Sequence, residues 1–316
     1  MWNDIFNLAF MTSFLSAAVR MAIPLLYAAL GETVSQKSGT LNIGLEANML
    51  SGAFFGFAMA YWTGSLTLGF VGGMLGGALF SMIHSFLSVY LRQNQSVTGT
   101  ALNLFAAGLT SYHFAVMVNN TAGEYPQVDT LETITIPLLS KIPLIGEAFF
   151  NKDIVTYISY MLVIAIAFFV KRTVWGKSLI AVGENPQAAD TVGINVFRTR
   201  YLAALFNGLM CGMGGAYLVL GQLGMFSENV TSGRGYIALS LVVFGRRNPI
   251  GVFLGALFMG AANALQFKMQ ALNIDMPIQF FTGLPYIMTV VVLLLSASRK
   301  STEPGGLSKP YIRSMR

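Results

Sequence analysis

Charged residues make up only 10% of this 316-residue chain and histidine occurs twice, so chemistry that needs clustered titratable side chains has little to draw on. Cys211 is the sole cysteine, which excludes an internal disulfide and a thiolate metal cluster. His84 and His113 fall in different apolar runs with no His-Glu-x-x-His pattern, so each reads as an interhelical hydrogen-bonding group instead of a metal ligand. No phosphate-binding loop is complete. Gly176-Lys177-Ser178 imitates the end of one, yet Lys171 stands where its first glycine belongs, and the segment follows an apolar run and not a strand. No nucleophile has a partner at helical spacing. The chain is therefore expected to be no enzyme, to need no cofactor or metal, and to bind no nucleic-acid polymer. Its first residues lack the basic region and small-residue cleavage site of a signal peptide, so the first apolar run is expected to remain in the mature chain.

What the chain has in abundance is apolar length. Hydrophobic residues are 54% of it and the mean hydropathy is +0.63, outside the range of soluble domains. Apolar runs of about 20 residues, the length that crosses a bilayer, recur from end to end. They fall at about 5–30, 41–62, 66–91, 97–118, 154–170, 201–223, 250–266 and 280–295. Residues 236–244 are apolar but too short to cross alone and read as a re-entrant or tilted element. The fold class is an all-α polytopic membrane protein of about eight transmembrane helices plus that element. A net charge of +6 does not signal nucleic acid, because the basic residues sit at the ends of runs and form no patch.

Those basic residues set an orientation. With the N-terminus outside and the elements alternating, all Lys and Arg lie on the inner side except Lys141, Lys152, Arg234, Lys268 and the intramembrane Arg20. Asp4, Glu124, Asp129, Glu132, Glu147, Asp153, Glu228 and Asp275 fall outside, and Trp2, Tyr61, Trp62 and Tyr112 lie near the outer interface as an aromatic belt does. The C-terminus is then cytoplasmic.

Three polar stretches interrupt the pattern. Residues 181–194 contain a short helix: Asn185 suits the N-cap, Pro186 the first helical position and Gly193 the C′ position. Ala188, Ala189 and Val192 give it a small apolar side, and two isolated turns need a surface to dock on. It is either a connector on the membrane surface or a knob presented to a cytoplasmic partner. The other two stretches, 39–46 and 232–239, break the two halves of the chain. Interrupted segments in corresponding halves point to a transport path, because backbone freed at depth must be buried or line a cavity. Asn42, Glu46 and Asn48 open the second run, with Asn42 and Glu46 placed i, i+4 on one helix face and Arg20 the candidate ion-pair partner of Glu46. Asn103, Asn207, Asn263 and Gln266 add polar points to other spans, where helix–helix hydrogen bonding is the plainer role. Gly69, Gly72, Gly73, Gly76 and Gly77, with Gly208, Gly212 and Gly215, are spaced for close helix packing.

Taken in order, Gly31-Glu32, Ser38-Gly39-Thr40-Leu41-Asn42-Ile43-Gly44-Leu45-Glu46, Ile136-Pro137-Leu138-Leu139-Ser140, Gly183-Glu184-Asn185-Pro186, Ala188-Ala189-Asp190, Gly193-Ile194 and Gly233-Arg234-Gly235-Tyr236-Ile237-Ala238-Leu239 resemble an ATP-binding-cassette importer permease. The superfamily is that of branched-chain amino acid and simple-sugar permeases, and the chain looks most like its nucleoside members. It departs from the family pattern at Ala47-Asn48 and Arg246-Arg247. The resemblance implies one transmembrane permease domain, residues 1–300, with a coupling loop at 172–200, an extracytoplasmic loop at 119–153 and a basic cytoplasmic tail at 301–316. It makes the short helix the coupling helix, with Gly183, Glu184, Asn185, Pro186, Ala188, Ala189, Asp190, Gly193 and Ile194 meeting a separate ATPase subunit. It implies a bacterial inner-membrane location, a second permease chain (identical or related) and an extracytoplasmic binding protein, for which the acidic outer loop is either a dock or merely solvated. The substrate pathway falls to Asn42, Glu46, Asn48, Asn103, Asn207, Arg234 and Tyr236, and the solute to a nucleoside or nucleobase, with a simple sugar as the alternative. An ion-coupled transporter would need titratable groups at depth, of which Glu46 stands out, and a channel or scaffold rests on glycine content alone.

Overall fold

Short polar side chains set where several helices of this protein begin. The computed structural model describes residues 8–121, 124–271, 278–297 and 302–313. Its helices are α1 (Leu8–Lys37), α2 (Leu45–Thr63), α3 (Leu66–Ser85), α4 (Gln95–Asn120), α5 (Ile145–Phe150), α6 (Ile154–Arg172), α7 (Val174–Glu184), α8 (Pro186–Thr191), α9 (Val196–Ala216), α10 (Arg234–Phe244), α11 (Pro249–Ala271) and α12 (Ile278–Ala297). Asn94, Asp153, Thr173, Asn185 and Asn195 each cap a helix by accepting from a backbone N–H two or three residues on, which satisfies donors the first turn leaves open. A wider π-type turn extends α3 through Phe86–Tyr90 and α9 through Tyr217–Leu223.

Among the described residues, six helices are long and apolar enough to cross a membrane: α1, α3 and α9 with their extensions, α4, α6 and α11. Helices α2 and α12 have the length of spans, so this criterion does not fix the total at eight. Helix α10, with 11 residues, is too short to cross alone, as its sequence indicates. Trp2, Asp4, Asp275, Arg299, Lys300 and Arg316, which the sequence assigns to the two faces, lie outside the described residues.

Helix α9 is the axis of the bundle, with α1, α2 and α3 packed round it. The glycine series makes this possible. A Cβ on Gly77 would lie 2.6 Å from Gly212 Cα, and one on Gly215 would collide with the Met49 carbonyl. Backbones that close gain dispersion contact that larger residues would forbid.

The polar gap at 31–40, between the first two apolar runs, does not end α1 where the first run stops. Residues 31–36 continue the helix and are buried, because their side chains find partners inside the protein. Residues 124–153 have structure of their own: strands β1 (Ile134–Thr135) and β2 (Asn151–Lys152) pair antiparallel around α5, and Val128 N donates to Gly224 O at 2.8 Å. At that end Phe54, Phe57 and Phe114 surround the buried ring of Phe226, with centroids 5.0–6.4 Å apart.

Candidate functional site

The two interrupted segments meet. Helix α10 opens at Gly233, whose φ of +80° suits glycine, and its first N–H groups point at the start of α2. There the Glu46 carboxylate accepts from Gly233 N at 2.8 Å, from Gly235 N at 2.7 Å and from the Thr231 hydroxyl. A buried carboxylate on a helix N-terminus is favoured by the dipole and by charge-assisted hydrogen bonds. The segments cross so closely that a Cβ on Gly235 would strike the Glu46 backbone. Asn103 of α4 ties the crossing together: its Oδ1 accepts from Ala47 N at 2.9 Å, and its Nδ2 donates to Ile43 O at 3.1 Å and to the Tyr236 hydroxyl at 2.8 Å. Arg234 turns back to donate to Val230 O and Thr231 O, and Tyr236 stays exposed beside it.

The expected Arg20–Glu46 ion pair is absent. Arg20 donates to Gly221 O at 2.8 Å, while three N–H and O–H donors occupy Glu46. Nor do Asn42 and Glu46 share a helix face, because α2 starts at Leu45. Asn42 uses its Oδ1 to accept from Gly44 N at 2.8 Å in a turn, and its buried Nδ2 has no hydrogen-bond partner.

A second polar cluster lies nearby, and sequence reasoning missed it. Glu32, fully buried, accepts from Gln36 Nε2 at 3.0 Å, Asn42 N at 3.2 Å and Asn207 Nδ2 at 2.8 Å. Gln36 Oε1 in turn accepts from Arg247 Nε at 2.8 Å. Burial lowers the Arg247 pKa, and the carboxylates of Glu303 and Glu32 offset part of that shift. Asn207 belongs to this cluster and not to the crossing. Asn48 is buried in α2. Among the described residues Glu46 is thus one of three buried carboxylates, with Glu32 and Asp153. The signal for Glu32 is its spacing of four from Gln36, a helical pair inside a polar gap between apolar runs.

The third assembly is a corner built around α8. Asn185 Oδ1 accepts from Ala188 N at 3.0 Å, and Gly193 (φ +88°) closes the helix as Ile194 N donates to Ala189 O. Its apolar side is not the one expected. Ala189 and Pro186 face inward, with Ala189 packed with Val182, Val196 and Tyr311, while Ala188 and Val192 face outward and Val192 is 75% exposed. Helix α7, also unforeseen, leads into it, and its Gly183 presses on the Lys37 carbonyl at the end of α1.

Residues 302–313 close this corner. Gly305 N donates to Glu184 Oε2 at 3.1 Å, Gly306 N to Gly183 O at 2.8 Å and Ser308 N to Gly39 O at 3.1 Å. The buried Arg200 reaches Ser38 O and Lys309 O, and Arg313 lies 3.6 Å from Asp190. The described part of the tail is thus packed onto the helix it follows in space.

A helical bundle with several membrane-crossing helices, two broken segments pinned together inside it and a capped surface helix at one end is a multi-pass membrane permease. Residues 14–294 match the family described as "Branched-chain amino acid transport system / permease component", and the chain belongs to that family. A guanosine ABC transporter permease protein of Bacillus subtilis is 34% identical over 95% of this chain and 96% of its own length. A nucleoside ABC transporter permease protein of Lactococcus lactis is 36% identical over 92% and 94%. A Haloferax volcanii permease protein, provisionally assigned to a glucose ABC transporter, is 34% identical over 98% and 100%. Among solved structures, an inward-facing ABC transporter provisionally classed as metal-chelate type shares the fold, with a TM-score of 0.51 at 14% identity, covering 93% of this chain and 100% of its own.

Proposed function

We propose that this chain forms the translocation pathway of an ATP-binding-cassette importer for nucleosides or nucleobases. The observation that carries the reading is the pair of nucleoside-named relatives at 34% and 36% identity over more than nine-tenths of this chain. The Haloferax relative supports a sugar as the second reading. The chain has no nucleotide-binding motif, so a separate ATPase subunit supplies the energy and this subunit is not catalytic. An extracytoplasmic binding protein delivers the solute, and a second permease chain, identical or related, completes the pathway. The charge bias supports an N-terminus outside and a cytoplasmic C-terminus, which puts α8 and the tail on the ATPase side.

Helix α8 is the coupling helix in this reading. Its inward residues anchor it, and Gln187, Ala188, Thr191 and Val192 are presented outward. Of the pathway residues, Arg234 and Tyr236 are suited to meet solute at the crossing. Asn103, Glu46, Asn42, Asn48 and Asn207 hold the frame. The Tyr236 ring and hydroxyl suit base stacking and ribose hydroxyls.

Reconstitution with the ATPase and binding protein tests this. Labelled guanosine is expected to accumulate only with ATP, and glucose in excess is expected not to compete. Uptake that survives ATP depletion but collapses with a protonophore would overturn the reading in favour of an ion-coupled transporter.

A further inference from the structure

A cavity of about 740 Å³ lies between α6, α7 and the start of α9, and none of its lining residues belongs to the crossing or to the tail. That volume falls in the range of about 300–1,000 Å³ typical of small-molecule sites. Its two ends differ in chemistry. The depth is walled by Leu162, Ile166 and Phe169 of α6 and by Leu202 and Phe206 of α9, with Val34 of α1 behind. The mouth is polar: Arg198, Asn195 and Ser178 line it, beside Trp175, which is 67% exposed.

The charge around the mouth has one sign. No Asp or Glu occurs between Asp153 and Glu184, or between Asp190 and Glu228, so α6 and α9 carry no acid and α7 carries only Glu184, at its last residue and outside the cavity lining. Lys171, Arg172, Lys177 and Arg198 all lie on these walls and are exposed. The nearest acids are engaged at the corner, Glu184 with Gly305 N and Asp190 with Arg313. An apolar slot between two membrane helices with a cationic rim and a tryptophan at its lip matches one kind of molecule, an amphiphile with an acyl chain and an anionic head. Free phosphate would leave the apolar depth empty, and a zwitterionic lipid would leave the rim unneutralised.

We propose that this cavity binds one anionic phospholipid, its acyl chain lying between α6 and α9 and its phosphate facing Arg198. The cavity also touches Gly193, Ile194 and Asn195, the link between α8 and α9, so the bound lipid buttresses that link. The site does not depend on which solute the chain carries.

Trp175 supplies the probe. In a full-length Trp2→Phe/Trp62→Phe chain it is the sole tryptophan. In phosphatidylcholine nanodiscs doped with a small fraction of brominated phosphatidylglycerol, its fluorescence is expected to be quenched several-fold more than by the same fraction of brominated phosphatidylcholine. Excess unbrominated phosphatidylglycerol is expected to relieve it. Arg198→Ala is expected to remove the difference between the lipids, and Ala165→Phe, which fills the cavity, to remove it without touching the rim. Native mass spectrometry is expected to show phosphatidylglycerol retained by the parent chain and lost from both variants. Equal quenching by both lipids overturns the proposal. So does a loss of chain–chain or chain–ATPase association in Ala165→Phe with lipid retention unchanged, which would give the cavity to a protein partner.

Discussion

Glu46 and Gly235 are 189 residues apart in sequence and 2.7 Å apart across a hydrogen bond. That bond, with its companions to Gly233 and Thr231, makes one carboxylate the clasp between the two broken segments.

Glu46→Gln is therefore expected to be poorly tolerated. The amide offers one acceptor oxygen where the carboxylate offers two, and it turns an NH₂ toward backbone N–H groups. The loss is expected to be about 2–3 kcal/mol, the range for charge-assisted hydrogen bonds with buried donors left open. A lowered midpoint of thermal unfolding in detergent, together with lost uptake, checks it. An unchanged midpoint would show that the clasp is not structural.

Val192→Asp separates docking from folding at α8. The side chain is 75% exposed, so stability is expected to change by no more than about 0.5 kcal/mol. Uptake should fall while the ATPase subunit remains active, measured as the ratio of solute moved to phosphate released. Glu184→Arg and Asp190→Arg should also uncouple, but both disturb the tail contacts and so test two things at once.

Tyr311→Ala opens the small cluster under α8. The ring is 3% exposed and packs edge-on to Phe197 at 5.5 Å. Removing a buried aromatic costs about 3 kcal/mol in a core, and here the loss should be local. Hydrogen exchange is expected to speed up in residues 186–196 and to stay unchanged in α2 and α3.

Lys152 gives the segment before α6 a pH dependence. Burial chiefly, and the nearby charge of Arg20, lower its pKa from 10.5 to about 8, with Asp153 and Glu147 opposing. Below about pH 8 both folded and unfolded chains hold the proton, and the folded one carries the full cost of burying the charge. Between pH 8 and 10.5 the unfolded chain holds more protons, so stability rises with pH across that window. Thermal midpoints measured at pH 7.5 and 9.5 should diverge less in Lys152→Met than in the parent chain.

Apolar run length alone located the long helices, because crossing a bilayer leaves a signal that no tertiary contact overrides. The caps of α8 were equally plain, since Asn185, Pro186 and Gly193 act through neighbouring backbone. What sequence reasoning lost were outcomes of long-range packing. Residues 31–36 read as a loop because their polarity is visible, whereas the partners Asn207 and Arg247 that allow burial are far along the chain. Arg20 was matched to Glu46 by charge, but backbone N–H groups, which no sequence pattern displays, hold that carboxylate instead. The inward turn of Ala189 depends on Tyr311, in a tail whose composition suggested nothing but charge.

The seam between Gly39 and Ser308 also sets an order of manufacture. A ribosome delivers the end of α1 early and residues 302–313 late, so the corner beneath α8 stays unfinished through nearly all of translation. A chain cut short at residue 300 would insert its helices yet display bare Val182, Ala189 and Val196 to the chaperones and proteases that police new membrane proteins.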